Sequence, residues 1–183
     1  MGHVSVVRIK RLPDAALITV RCTAATLAQV GTPAGLAFPR EANRFTTQGS
    51  TRILWTGPDD WMIVDERPDA SNLLIALEAA FKGHHAAIVE VSGNRVGFRI
   101  SGPDARELMQ RVSALDFDPP HFAIGHCAGT TVARTQAFIM QTGDEPTYEL
   151  LVRRSFAAYL ADWLVTASLA LPSLIAAPPS PGS

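Results

Sequence analysis

Apolar and polar residues alternate near the start of the chain. Val4, Val6 and Val7, then Leu17, Ile18 and Val20, lie on either side of Pro13-Asp14 and predict two opening strands. Between Ala24 and Thr51 the periodicity fades among Gly31, Pro33, Gly35 and Pro39, where only a short helix or loop is expected. The segment RILWTGPDDWMIVDE then sets two apolar runs around Gly57-Pro58-Asp59-Asp60, the pattern of a hairpin. From Asp69 to Lys82 the period changes. Leu73, Leu74, Leu77 and Phe81 recur at helical spacing, with Asp69 or Ser71 as the cap and Gly83 at the end.

The second half repeats this order. Ala86 to Val91 and Arg95 to Ile100 read as strands around Ser92-Gly93-Asn94, with Val96, Phe98 and Ile100 on one face and Arg95 and Arg99 on the other. Pro103, Asp104 and Glu107 suit a helix start, and Ala105, Leu108, Met109 and Val112 form its stripe. A strand is expected from Thr131 to Met140, a turn over 142–146, and a strand from Tyr148 to Arg153. A helix then starts near Ser155, with Phe156, Tyr159, Leu160, Trp163 and Leu164 forming a broad stripe for packing on a sheet. The apolar run from Trp163 to Ala177, broken by Pro172, reads as a buried helix and a tail, too short to span a membrane.

Hairpins alternating with helices predict an α+β fold of mostly antiparallel sheets packed with helices. Its expected extent is one compact domain over 1–170, divisible into sub-domains of about 1–85 and 86–170, with 171–183 a disordered tail.

Composition narrows the class. The chain of 183 residues is 47% hydrophobic and 18% charged, with a net charge of -1, which lacks the positive density that nucleic acid requires. A slightly positive mean hydropathy points to apolar surface held for a partner. Cys22 and Cys127 form no CxxC, and the opening MGHVSVVRIKR is unlike a secretion signal, so a reducing, cytoplasmic setting is expected.

Candidate chemistry is sparse. His84 and His85 are adjacent and read as surface residues. His121, His126 and Cys127 lack a fourth ligand at metal-like spacing, so structural roles are favoured. Asp59, Asp60, Asp116 and Asp118 sit where Asp serves turns. Nucleophile-elbow, dinucleotide and phosphate-loop motifs do not occur. Arg95, Arg99, Arg153 and Arg154 form a basic set suited to an anionic ligand or to a partner's carboxylates, the partner being favoured; with Tyr159 they are the expected contact residues.

Three segments bear a family resemblance: WTGPDDWMIV (55–64), VEVSGNRVGFRISGPDARELM (89–109), and GHCAGTTVARTQAFIMQ with PTYELLVRRSFAAYLADWL (125–141 and 146–164). Together they resemble the gamma subunit of heterotetrameric sarcosine oxidase in order, spacing and wording, over about residues 50–165. The resemblance implies a non-catalytic chain with no catalytic, cofactor-binding or metal-binding residue of its own. Its partners would be the large alpha, beta and small delta chains. Those carry FAD, covalent FMN, NAD and zinc in that family and convert sarcosine to glycine and hydrogen peroxide, with the one-carbon unit passing to tetrahydrofolate. A related dehydrogenase of another N-methyl amino acid has similar subunits.

The same segments more distantly resemble the folate-binding domains of aminomethyltransferases, which implies that fold and supplies a rival function, a folate-binding transferase. There an acidic residue preceding the last hairpin contacts the folate; here that place falls near Thr135 and Gln136, neither of which is anionic.

Overall fold

The computed structural model describes residues 7–119 and 121–171; Val4, Val6 and residues 172–183 of the expected tail lie outside them. In chain order the elements are β1 (Arg8–Arg11), β2 (Ala16–Cys22), α1 (Ala24–Val30), β3 (Phe45–Gln48), β4 (Thr51–Gly57), β5 (Asp60–Asp65) and α2 (Ser71–Ala80). They continue with β6 (Ala86–Glu90), β7 (Arg95–Ser101), α3 (Ala105–Val112), β8 (Cys127–Val132), β9 (Thr135–Gly143), β10 (Thr147–Arg153) and α4 (Ala157–Leu169).

The strands form two five-stranded sheets, ordered β6-β2-β5-β4-β3 and β1-β7-β10-β9-β8. Every pairing between the strands is antiparallel. The fold class is therefore α+β, as the alternation of hairpins and helices implies. Written one above the other, the two orders match strand for strand, so the chain is two tandem ββαβββα units. Each unit lends its first strand to the other: β1 pairs with β7, and β6 pairs with β2. The short links 12–15 and 91–94 therefore cross between sheets. In particular, the Ser92-Gly93-Asn94 turn joins strands of different sheets and closes no hairpin.

Side-chain alternation builds four layers, helix, sheet, sheet and helix. Ile18, Val20, Ile53 and Ile63 pack outward against Leu27 of α1 and Leu77 of α2. Val96, Phe98, Ile139, Leu150 and Val152 pack outward against Leu108, Met109, Leu160 and Leu164 of α3 and α4, and Leu171 joins them. Between the sheets, Leu17, Leu54, Met62 and Val64 meet Cys127, Met140 and Leu151. Neighbours such as Leu17 and Ile18 serve opposite layers because successive strand side chains point to opposite faces.

Local chemistry explains most boundaries. Thr23 Oγ1 accepts from Thr26 N–H at 3.1 Å and caps α1. The cap expected at Asp69 or Ser71 is corrected: Ala70 is the N-cap of α2 and gives no side-chain bond, while Asp69 Oδ1 accepts from Ser71 N–H at 2.9 Å in the turn just ahead of it. Asp59, at φ 59° behind Pro58, closes β4 onto β5. Two further expectations need correction. The strand expected over Thr131–Met140 is broken at Ala133 and Arg134, whose φ angles of 45° and 66° make the tight turn between β8 and β9. The stretch expected to hold only a short helix or loop also contains β3, a four-residue edge strand too short to show a period.

Candidate functional site

Beyond the apolar centre, the gap between the sheets opens into a cleft of about 300 Å³. Arg95, Gly97 and Arg99 of β7 line it because alternate residues of that strand face inward, while Val96, Phe98 and Ile100 face α3 and α4. Gly97 is the close-approach position. A Cβ there would stand 3.1 Å from Leu12 Cδ1 and 3.2 Å from Leu12 Cβ, so glycine lets the crossing link lie on β7.

The cleft is organised around Glu149, whose side chain is only 3% exposed. Its Oε1 accepts from Arg99 Nε at 3.1 Å and Nη2 at 2.7 Å, and its Oε2 accepts from Arg52 Nη1 at 2.8 Å. Arg52 belongs to β4, so this carboxylate ties the two sheets together by charge. The second arm of Arg52 reaches Glu66 Oε1 at 2.9 Å. A buried carboxylate is tolerated when guanidinium donors satisfy both oxygens, and here they do.

Arg95 is placed differently. Its Nη1 has a long contact of 3.4 Å to the Leu151 carbonyl, and its guanidinium lies 4.8 Å from the centre of the Phe138 ring. Among the described residues no carboxylate pairs with it. Burial, and then the neighbouring Arg153 charge, pull its pKa below the ordinary arginine value. Arg153 lies opposite Arg95 in the β7–β10 register and faces water. Arg154 turns away, bonding the Gly93 carbonyl at 2.9 Å and Asp14 at 3.3 Å, and thereby holds the link between β6 and β7. Arg153 thus stays beside Arg95, and Arg154 is the one that leaves the set. Arg95 and Arg99 line the cleft, while Arg153 and Arg154 stand outside it.

Glu149 and Arg52 were not among the expected residues. The available signal was a single carboxylate within the apolar strand YELLV, two positions from Leu151 and so on the same inner face.

A second feature lies on α4. Leu160 and Leu164 are fully buried, but Phe156, Tyr159 and Trp163 are 46%, 39% and 42% exposed. The broad stripe expected to pack on a sheet is therefore split, with its two leucines inside and its three aromatic residues forming a ridge facing water. The expectation of a buried helix over this stretch is corrected as well, since Val165 and Leu169 are also exposed. No helix among the described residues is long and apolar enough to cross a membrane.

The remaining candidates serve local structure. His84 and His85 are exposed in the loop between α2 and β6. His121 Nδ1 pairs with Asp116, whose other oxygen accepts from Asp118 N–H at 2.9 Å. His126 Nδ1 accepts from Ala123 N–H at 2.8 Å, and burial lowers its pKa. The Cys127 thiol lies 3.1 Å from the Arg44 carbonyl and is pushed up to about 11 by burial, so it is a poor nucleophile. Asp59 accepts from Ala24 N–H at 3.0 Å and Asp60 pairs with Arg21 at 3.2 Å. Thr135 is buried, and Gln136 is exposed with its amide on Thr131 Oγ1 at 3.1 Å. Among the described residues no group of three or more His, Cys, Asp or Glu is arranged to hold a metal.

Comparison with known proteins gives these features a context. The family model described as sarcosine oxidase, gamma subunit family, matches residues 20–170. Sarcosine oxidase subunit gamma proteins of Arthrobacter sp and Corynebacterium sp. (strain P-1) are 30% and 29% identical over 117 residues, 64% of this chain. Those matches cover 56% of the relatives, so the chain spans little more than half their length. Among solved structures, a chain of heterotetrameric sarcosine oxidase from Corynebacterium sp. U-96, in complex with pyrrole 2-carboxylate, superposes with a TM-score of 0.80 at 23% identity, over 91% of this chain and 85% of that one. The glycine cleavage system aminomethyltransferase T from Bartonella henselae superposes at 0.66 and 15% identity, over 87% of this chain and 45% of that one. These structural likenesses establish a shared fold.

Proposed function

This chain belongs to the sarcosine oxidase gamma subunit family, and we propose that it acts as a non-catalytic assembly subunit of a heterotetrameric N-methyl amine oxidase. Sarcosine is the proposed substrate of the complex. FAD, FMN, NAD and zinc are assigned to the alpha, beta and delta partners, and tetrahydrofolate takes the one-carbon unit. The unpaired thiols of Cys22 and Cys127 suit a reducing cytoplasm.

The ridge of Phe156, Tyr159 and Trp163 carries the reading. Aromatic residues at the centre of an interface supply much of its affinity because they bury large rigid surfaces at little entropic cost. Leu160 and Leu164, locked in the core on the same helix, hold the ridge in place. Arg153, exposed next to the start of α4, adds a donor for a partner's carboxylate at the rim. Binding only the folded chain, such a partner stabilises the assembly by mass action.

The test is co-expression of the large subunits with wild-type chain or with the double variant Tyr159→Ser, Trp163→Glu. The variant chain should keep its thermal midpoint, while the yield of complex and its flavin content fall. Wild-type yield and flavin content from the double variant would overturn the proposed role for the ridge.

A further inference from the structure

The carboxylates around the cleft are already occupied. Glu149 is shared by Arg52 and Arg99, Glu66 is held by Arg52, and Asp14 is held by Arg11 and Arg154. Arg95 and Lys10 also line the cleft, and among the described residues neither has a carboxylate partner. Lys10 is opposite Arg99 in the β1–β7 register, so it stands at the mouth beside the Glu149 cluster. A guanidinium keeps its proton when it is partly buried, and its charge then calls for compensation. The Phe138 face gives part of this; the long contact to the Leu151 carbonyl gives little more.

Apolar parts of the lining come from Leu12 and Leu151 beside β7 and from Leu17 and Val64 on the facing sheet. A cavity of about 300 Å³ is at the lower limit for small-molecule sites. From this arrangement we infer that the cleft between the sheets is a binding site for a small organic carboxylate. Its anionic end is held by Arg95 and Lys10, and its apolar body lies against Leu12, Leu17, Val64 and Leu151. Glu149 engages Arg99 and Arg52, which leaves Arg95 and Lys10 as the cleft cations that receive the ligand's charge. The site is independent of the aromatic ridge, so it survives if the proposed assembly role fails.

The probe is benzoate, with benzamide as a neutral molecule of the same shape, titrated into the full isotope-labelled chain and followed through its amide resonances. Benzoate should shift the amides of Leu12, Gly97 and Leu151 saturably, and benzamide should not. Arg95→Leu should weaken benzoate by about tenfold, as the loss of a charge-assisted contact predicts. Lys10→Gln, on an exposed edge position, should weaken it several-fold and decides the matter if the Arg95 variant fails to fold. Equal responses to benzoate and benzamide, shifts elsewhere in the chain, or unchanged affinity in either folded variant would overturn the inference.

Discussion

On their inner faces β2 and β5 present Leu17, Met62 and Val64, whereas the equivalent strands of the second unit, β7 and β10, present Arg95, Arg99 and Glu149 beside Leu151. Strand order is the same in both units, and each completes the other's sheet with β1 or β6. The architecture has been repeated while the chemistry has not. Apolar side chains close one part of the gap between the sheets, and the charges on β7 and β10 keep the other part open to water. The exchanged edges also bind the units together, because either unit alone would leave the edge of β2 or β7 without its partner strand.

The widest separation between the two faces is tested at Glu149. Glu149→Gln leaves Arg52 with Glu66 only and Arg99 with no carboxylate in place of Glu149. Removing one partner of a buried ion pair costs about 3–5 kcal/mol, and the lower end applies because Arg99 remains 39% exposed. Urea unfolding should show a loss of about 3 kcal/mol. A loss below about 1 kcal/mol would mean that the charged face does not hold the sheets together.

An ionic site of the first unit gives a smaller effect. Asp65, on the outer face of β5, accepts from Thr51 Oγ1 at 2.9 Å and from Arg67 Nε and Nη2 at 2.9 and 2.6 Å. The Arg67 side chain is the main reason its pKa is lowered to about 2. The folded value lies below the unfolded one, so the carboxylate stabilises the fold above pH 4 and loses that contribution as pH falls from about 4 to about 2. Water around Arg67 reduces the effect to about 1–2 kcal/mol. The acid-side loss of stability should be shallower in Asp65→Asn over this interval, as measured by urea midpoints; parallel wild-type and variant profiles would reject the assignment.

What could be read from the sequence divides along the same physical lines. Helices α2 and α3 are legible because Leu77, Phe81, Leu108 and Met109 bury a local period. The β4–β5 hairpin is legible because Pro58 and Asp59 carry turn chemistry. The exchange of β1 and β6 is not, because the register that sets Arg8 against Ser101 is a non-local fact. At the site, Arg95 and Arg99 are visibly on one strand face. The ion pair that engages Arg99 is not legible, because it joins Glu149 to Arg52, residues 97 positions apart that meet only when the sheets stack. The division of the α4 stripe escaped for a related reason: periodicity finds an apolar face but does not say how much of it a neighbour covers.

The two units can be compared once more at matching turns. Gln48 pairs with Thr51 across Gly49 and Ser50, and Val132 pairs with Thr135 across Ala133 and Arg134. The first turn takes its positive φ at Gly49, at 61°, while the second forces Ala133 and Arg134 to 45° and 66°. An L residue in the left-handed region costs about 1–2 kcal/mol, partly offset here because glycine gives up more freedom on folding. Arg134 is exposed, so Arg134→Gly should stabilise the chain by about 0.5–1 kcal/mol without disturbing the core. Gly49→Ala, with nothing within 4 Å of the added carbon, should move the unfolding midpoint the opposite way by a similar amount. If both substitutions shift the midpoint in the same direction, backbone strain is not what distinguishes these turns.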